Sequence, residues 1–186
     1  MRYDFSIVID KFPTFVDVAF QTLKITAASI LFGVLLGLLV AFMRISKLKL
    51  LNWSAGIYIT VIRGTPLLLQ LFIVYFGLTG FVSLNEFTSA VIAFGVHNGA
   101  YIAEIFRGAI KSIDRGQMEA ARSLGMTRTR AMLRIILPQA FKRAVPPLGN
   151  QFIIATKDSS LASMIGYREL LLKAKKLGSS TYHFLE

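Results

Sequence analysis

Between Lys24 and Arg44 lies an unbroken run without a single charge, from Ile25 to Met43. An α-helix needs about 20 apolar residues to cross the hydrocarbon core of a bilayer. The run therefore reads as one membrane span. Its centre, SILFGVLLGLLVAFM, does not alternate apolar and polar residues as a barrel strand must. Three further stretches behave alike. Gly64 to Asn85 is uncharged between Arg63 and Glu86, and its helix is expected to start near Asn52 and to be interrupted at Gly64, Thr65 and Pro66. Phe87 to Ala103 extends through Glu104 towards Ile110. Ala144 to Tyr167 has Pro146-Pro147 at its head and is broken by Lys157-Asp158. The expected fold is all-α: a polytopic transmembrane helical bundle of four spans, forming a single domain over 1–186.

Composition supports this class. Of the 186 residues, 54% are hydrophobic and 17% charged, against about 25% charged in ordinary soluble domains. A net charge of +11 suggests nucleic acid when it is spread over a surface. Here the basic residues lie in short segments between long uncharged runs, so no nucleic-acid partner is expected. The absence of cysteine rules out disulfides and thiolate metal sites. His97 and His183 are the only histidines, with no clustered carboxylate pair, so no metal site is expected. No G-x-x-x-x-G-K-[ST] loop occurs to cradle ATP phosphates. No Ser/His/Asp arrangement can be nominated either, and the chain is not expected to be an enzyme. The start, MRYDFSIVIDKF, lacks the marks of a signal peptide.

Positive charge in short loops marks the cytoplasmic side. Arg44, Lys47 and Lys49 follow the first span. The connection from Arg107 to Arg143 carries nine basic residues, whereas the turn GFVSLNE at 80–86 carries none. Segments 44–51 and 107–143 are therefore expected inside, with the N-terminus outside. Arg168, Lys173, Lys175 and Lys176 would then fall outside, against the rule.

The segment 112–138 is too polar to cross a bilayer, yet it is patterned. Asp114 can cap a helix, with Gln117 three positions on reaching back as in a capping box. Gly125 suits the position just past a helix end. Thr127 can cap a second helix that Pro138 bends. Ala120 and Ala121 would let a partner backbone come close, while Glu119 and the arginines offer ion pairs. On the residues alone, a helix resting on anionic lipid headgroups explains the segment as well as a protein contact does.

Glu119-Ala120-Ala121, three residues, Gly125, nine residues, then Ile135, Leu137 and Pro138: this pattern resembles the cytoplasmic "EAA" loop of ATP-binding-cassette importer permeases. VIRGTPLLLQLFIVYFGL (61–78), AYIAEIFRGAIKSID (100–114) and LGNQFIIATKDSSLASMIGYREL (148–170) look like the polar amino-acid branch of that family. The resemblance implies a MetI-like permease of the bacterial plasma (inner) membrane. It implies that 112–138 is a coupling helix, with Glu119, Ala120, Ala121, Gly125, Leu137 and Pro138 at the contact with a separate ATPase subunit. ATP would be bound by that partner, and this chain would hold no cofactor. A second permease subunit and an extracytoplasmic substrate-binding protein complete the implied set. Similar permeases have a fifth span beyond a stretch like TYHFLE, so one is expected to be missing after Glu186. Two other readings stay open: a stand-alone secondary transporter or channel, and a non-transporting membrane adaptor.

Polar residues inside spans usually face the bundle interior. Asn98, Gln151 and Asp158 are the candidates for a substrate path, Gln151 and Asp158 sharing a face two turns apart. Asn98 and Tyr101 are expected on one face. Arg63 and Glu104 are placed near the cytoplasmic ends of their spans, as an interhelical ion pair or headgroup contact. Asp158 has a plainer reading as a partner of Lys157 or a cap for the Ser159-Ser160 turn. Gly33, Gly37, Gly95 and Gly99 come at the spacing that permits close helix packing.

Overall fold

The computed structural model describes residues 6–181. The extreme N-terminus, His183 and the expected span beyond Glu186 lie outside the described residues. Eight α-helices make up most of what is described: α1 (Ser6–Ile45), α2 (Lys49–Arg63), α3 (Leu67–Phe72), α4 (Glu86–Lys111), α5 (Arg115–Ser123), α6 (Arg128–Ala131), α7 (Leu137–Asp158) and α8 (Leu170–Thr181). No strand occurs among the described residues.

The α1–α4 contact is the most extensive in the bundle. One face of α1 is small or hydroxylated: Thr22, Thr26, Ser29, Gly33 and Gly37. The three hydroxyls each turn back onto a carbonyl of their own helix, which leaves the face apolar towards its neighbour. Leu31, Leu35 and Leu39 point the other way and are exposed, as lipid-facing side chains must be. A Cβ on Gly37 would meet the Gly99 carbonyl oxygen at 2.9 Å, and one on Gly33 the Gly95 carbonyl oxygen at 3.2 Å. The packing read from the four glycines is thus present. Because Gly33 meets 95–99 and Gly37 meets 99–102, the two helices run parallel.

Helix α4 is central. Two apolar clusters flank its midpoint. One gathers Val40, Ala55, Ile59, Ile102, Phe106, Ile136 and Ala140 near the basic connections. The other gathers Ile25, Leu71, Phe94, Ala162 and Ile165 towards the opposite end.

By length and composition α1 and α4 can each cross a membrane, and the bent pair α2 and α3 makes a third crossing if counted as one. The interruption expected at Gly64, Thr65 and Pro66 is a 103° bend. The fourth expected span differs. Helix α7 starts at Leu137 rather than Ala144, so it takes in Gln139, Lys142 and Arg143 and is too polar to count with the others. Pro146 and Pro147 lie inside it. They are exposed, and the carbonyls they leave unpaired belong to the exposed Lys142 and Arg143. Beyond Asp158 the chain tightens into a 3₁₀ turn, Ser159–Ile165, closed by Gly166 at φ 87°.

The second loop helix does not end at Pro138. A π-turn at Met132–Ile136 joins α6 to α7, with Pro138 in the first turn of α7. A widened turn is a recognised way for a helix to absorb a local mismatch, and a proline is tolerated where its missing N–H costs no interior bond.

Candidate functional site

Helix α5 begins at Asp114, whose Oδ1 accepts from the Gly116 N–H at 2.6 Å. The expected reach-back by Gln117 is absent: its side-chain oxygen accepts from Gln139 Nε2 at 3.4 Å instead. The far end is a Schellman turn. Gly125 takes φ 80°, the Met126 N–H donates to the Ala121 carbonyl, and the Gly125 N–H to the Arg122 carbonyl. Thr127 then caps α6, accepting from the Arg130 N–H.

Ala120 and Ala121 part company here. Ala121 is buried against the π-turn, and Ala120 is exposed with Glu119. Only Ala120 can admit a partner backbone, because α5 turns its other face inward. Leu124, which follows, is 84% exposed. Pro138 is exposed, and Leu137 is half-buried in an apolar pocket with Leu38, Phe42, Phe106 and Phe141 rather than against α5. The Arg143 guanidinium donates to the Ser112 carbonyl and hydroxyl, which ties the start of the loop to α7.

Inside the bundle, Gln151 Nε2 donates to Asn98 Oδ1 at 2.7 Å, and Asn98 Nδ2 donates to the Phe94 carbonyl at 2.8 Å. Asn98 is fully buried, facing α1 at Gly33 and α7 at Gln151. Tyr101 lies on the neighbouring face, its ring 5.0 Å from that of His97. The expectation of one face for Asn98 and Tyr101 gives way to a His97–Tyr101 face, because four residues return closer to a whole turn than three.

A hollow of about 350 Å³ opens beside this pair, with Arg63, Tyr101, Glu104, Asn150 and Gln151 in its wall. It adjoins a wider groove of about 930 Å³ that shares Arg63 and Glu104 and reaches Arg44, Lys47 and Lys49. Asp158 lines neither. It is half-buried, and among the described residues it has no hydrogen bond or ion pair. Lys157 is exposed, and Ser159 Oγ turns to the Thr156 carbonyl, so both plain readings of Asp158 fail.

Arg63 is placed differently from the sequence reading. It ends α2, the full length of a 15-residue helix away from Lys49, so about 20 Å from the basic turn along the helix axis. Its guanidinium stands 4.9 Å from the centre of the Tyr101 ring. The expected Arg63–Glu104 ion pair is absent. Glu104 pairs with Arg107 instead, through bonds of 2.8 and 2.5 Å, because residues three apart on one helix are neighbours.

At the other end, a carboxylate escaped notice. Glu169 is 1% exposed and accepts from the Leu171 and Leu172 N–H groups at the start of α8. An acid just before the run Leu170-Leu171-Leu172 is a helix-start signal.

The model of the binding-protein-dependent transport system inner membrane component family matches residues 33–181. The chain belongs to that family. It is 47% identical over 161 residues to the L-cystine transport system permease protein TcyB of Bacillus subtilis, covering 86% of this chain and 69% of that protein. With the arginine transport system permease protein ArtQ of the same organism it shares 39%, over all of this chain and 86% of the relative. A crystal structure described as an amino acid ABC transporter with histidines superposes with a TM-score of 0.95 at 44% identity, over all of this chain and 87% of that one. The polytopic helical fold of this family of inner-membrane components is therefore that of the present chain.

Proposed function

We propose that this inner-membrane component is the translocation subunit of an ATP-driven importer, and that amino acids pass the hollow at Arg63. One observation carries the reading: a guanidinium and a carboxylate, Arg63 and Glu104, share the wall of one hollow beside the break between α2 and α3. Charges within membrane-spanning segments are unfavourable unless they serve a pathway, and interrupted helices are where transporters hold substrates. A zwitterion complements this wall. Its carboxylate fits Arg63, held on the Tyr101 ring, and its ammonium fits Glu104. The names of the relatives, for cystine and arginine, support an amino acid as cargo. Gln151 borders the same hollow, Asn98 fixes Gln151, and Asp158 lies two turns further along α7.

Helix α5 is then the contact for a separate cytoplasmic ATPase that binds the ATP. Glu119, Ala120 and Leu124 form the contact, Ala121 and Gly125 shape it, and Leu137 and Pro138 follow it at the head of α7. A second permease subunit and an extracytoplasmic binding protein complete the assembly in the bacterial inner membrane.

The test is uptake of radiolabelled L-arginine and L-cystine by the complete reconstituted complex. Arg63→Gln and Glu104→Gln should each lower uptake about tenfold, the worth of one charge-assisted hydrogen bond, with the ATPase still co-purifying. ATP-independent uptake by the unaltered complex would replace this reading with a channel. An ATPase-bound complex that moves no amino acid would replace it with an adaptor.

A further inference from the structure

The break between α2 and α3 leaves backbone groups without their helical partners. In a continuous helix the Ile62 carbonyl would accept from the N–H of residue 66, but Pro66 has none. Inside a membrane each such orphan is strongly unfavourable. The side chains of the break meet the need. Thr65 Oγ1 donates to the Val61 carbonyl at 2.9 Å. Gln70 Nε2 lies 2.8 Å from the Ile62 carbonyl, 2.8 Å from Thr65 Oγ1 and 3.2 Å from the Thr65 carbonyl. Three acceptors around one nitrogen fix the orientation of the amide. Its oxygen therefore faces His97 Nδ1, 3.2 Å away on α4. That contact is a hydrogen bond only if Nδ1 carries a proton.

One face of α4 thus grips both sides of the break. His97 holds Gln70 on α3, and Tyr101, one turn on, carries Arg63 at the end of α2. We propose that Gln70 and His97 are positioning residues for substrate transport: they set the bend at Gly64–Pro66 and so hold the Arg63 guanidinium at the hollow. This rests on the assignment of Arg63 to the substrate path.

The experiment is a double-variant cycle in the reconstituted complex, reading the L-arginine concentration that half-saturates uptake. His97→Leu removes the donor to Gln70 and leaves the amide bonds across the break. It should raise that concentration about fivefold, within the range of one hydrogen bond, at an unchanged yield of assembled complex. His97→Asn carries an N–H close to the place of Nδ1 and should restore the original value. Combined with Arg63→Gln, His97→Leu should add nothing further, because both act through one guanidinium. Additive effects, or failure of His97→Asn to rescue, would overturn the positioning role. If Arg63→Gln alone leaves half-saturation unchanged, the substrate-path assignment fails, and this inference fails with it. Gln70→Leu should shift half-saturation at least as far as His97→Leu; should it prevent assembly, the His97 series decides alone.

Discussion

The side chains of Asn98 and Gln151, 53 residues apart, meet at 2.7 Å in the buried centre of the bundle, between two apolar clusters. This is the one buried side-chain pair among the described bonds that ties α4 to α7. Asn98→Leu keeps the bulk and leaves the Gln151 amide without its acceptor. Interhelical bonds of this kind in membranes average about 0.6 kcal/mol and reach about 1.7. The variant is expected to lower the melting temperature of the detergent-solubilised complex, with a loss of about 1 kcal/mol. An unchanged melting curve would mean that the pair does not lock the two helices.

Ala120 and Ala121 should separate docking from folding. Ala120→Trp alters only the exposed face of α5, so the ATPase should no longer co-purify while the permease keeps its melting temperature. Ala121→Trp drives a large ring into the contact between α5 and the π-turn, and should lower both. Overpacking of this kind costs roughly 1–3 kcal/mol. Equal retention of the ATPase by both variants would remove α5 from the contact.

Among the described residues the Asp158 side chain makes no bond that its removal could break. Asp158→Asn is therefore expected to leave the melting temperature unchanged. If the carboxylate attracts cargo on its way to the hollow, uptake of L-arginine should fall more than that of L-glutamine, because one charge is removed and the shape is kept. A fall in stability with an unchanged uptake ratio would make Asp158 a structural residue.

Orientation can be read with single cysteines, since the chain has none of its own. Cysteines at Ser46 and Thr129 should be protected from an impermeant thiol reagent in intact cells, and one at Ser83 should react. Labelling at Thr129 from outside would place α5 out of reach of any cytoplasmic ATPase.

Span positions and the loop could be read from the sequence because they rest on local rules. Charge-free runs located α4 and the second half of α1, which reaches back to Ser6; Gly64-Thr65-Pro66 located the bend, and Gly125 located the end of α5. The site was less legible. Sequence reading treats a charge at the end of an uncharged run as lying at the membrane surface. Arg63 departs from that reading because it ends α2 at the bend, a full helix away from Lys49 and against the Tyr101 ring. Asn98 was found, but its role was hidden: spacing along one helix cannot tell which neighbour lies opposite. Ala121 differs from Ala120 only through the π-turn packed against it, and no local pattern announced that turn.

The proline at the bend also reaches beyond this one chain. Without an N–H at position 66, the Ile62 carbonyl must borrow a donor from elsewhere, and position 70 supplies it. The two positions are consequently expected to vary together. A homologue that exchanges the proline should be free to let the glutamine drift to leucine, whereas one that retains it should keep an amide, or an equivalent donor, within reach.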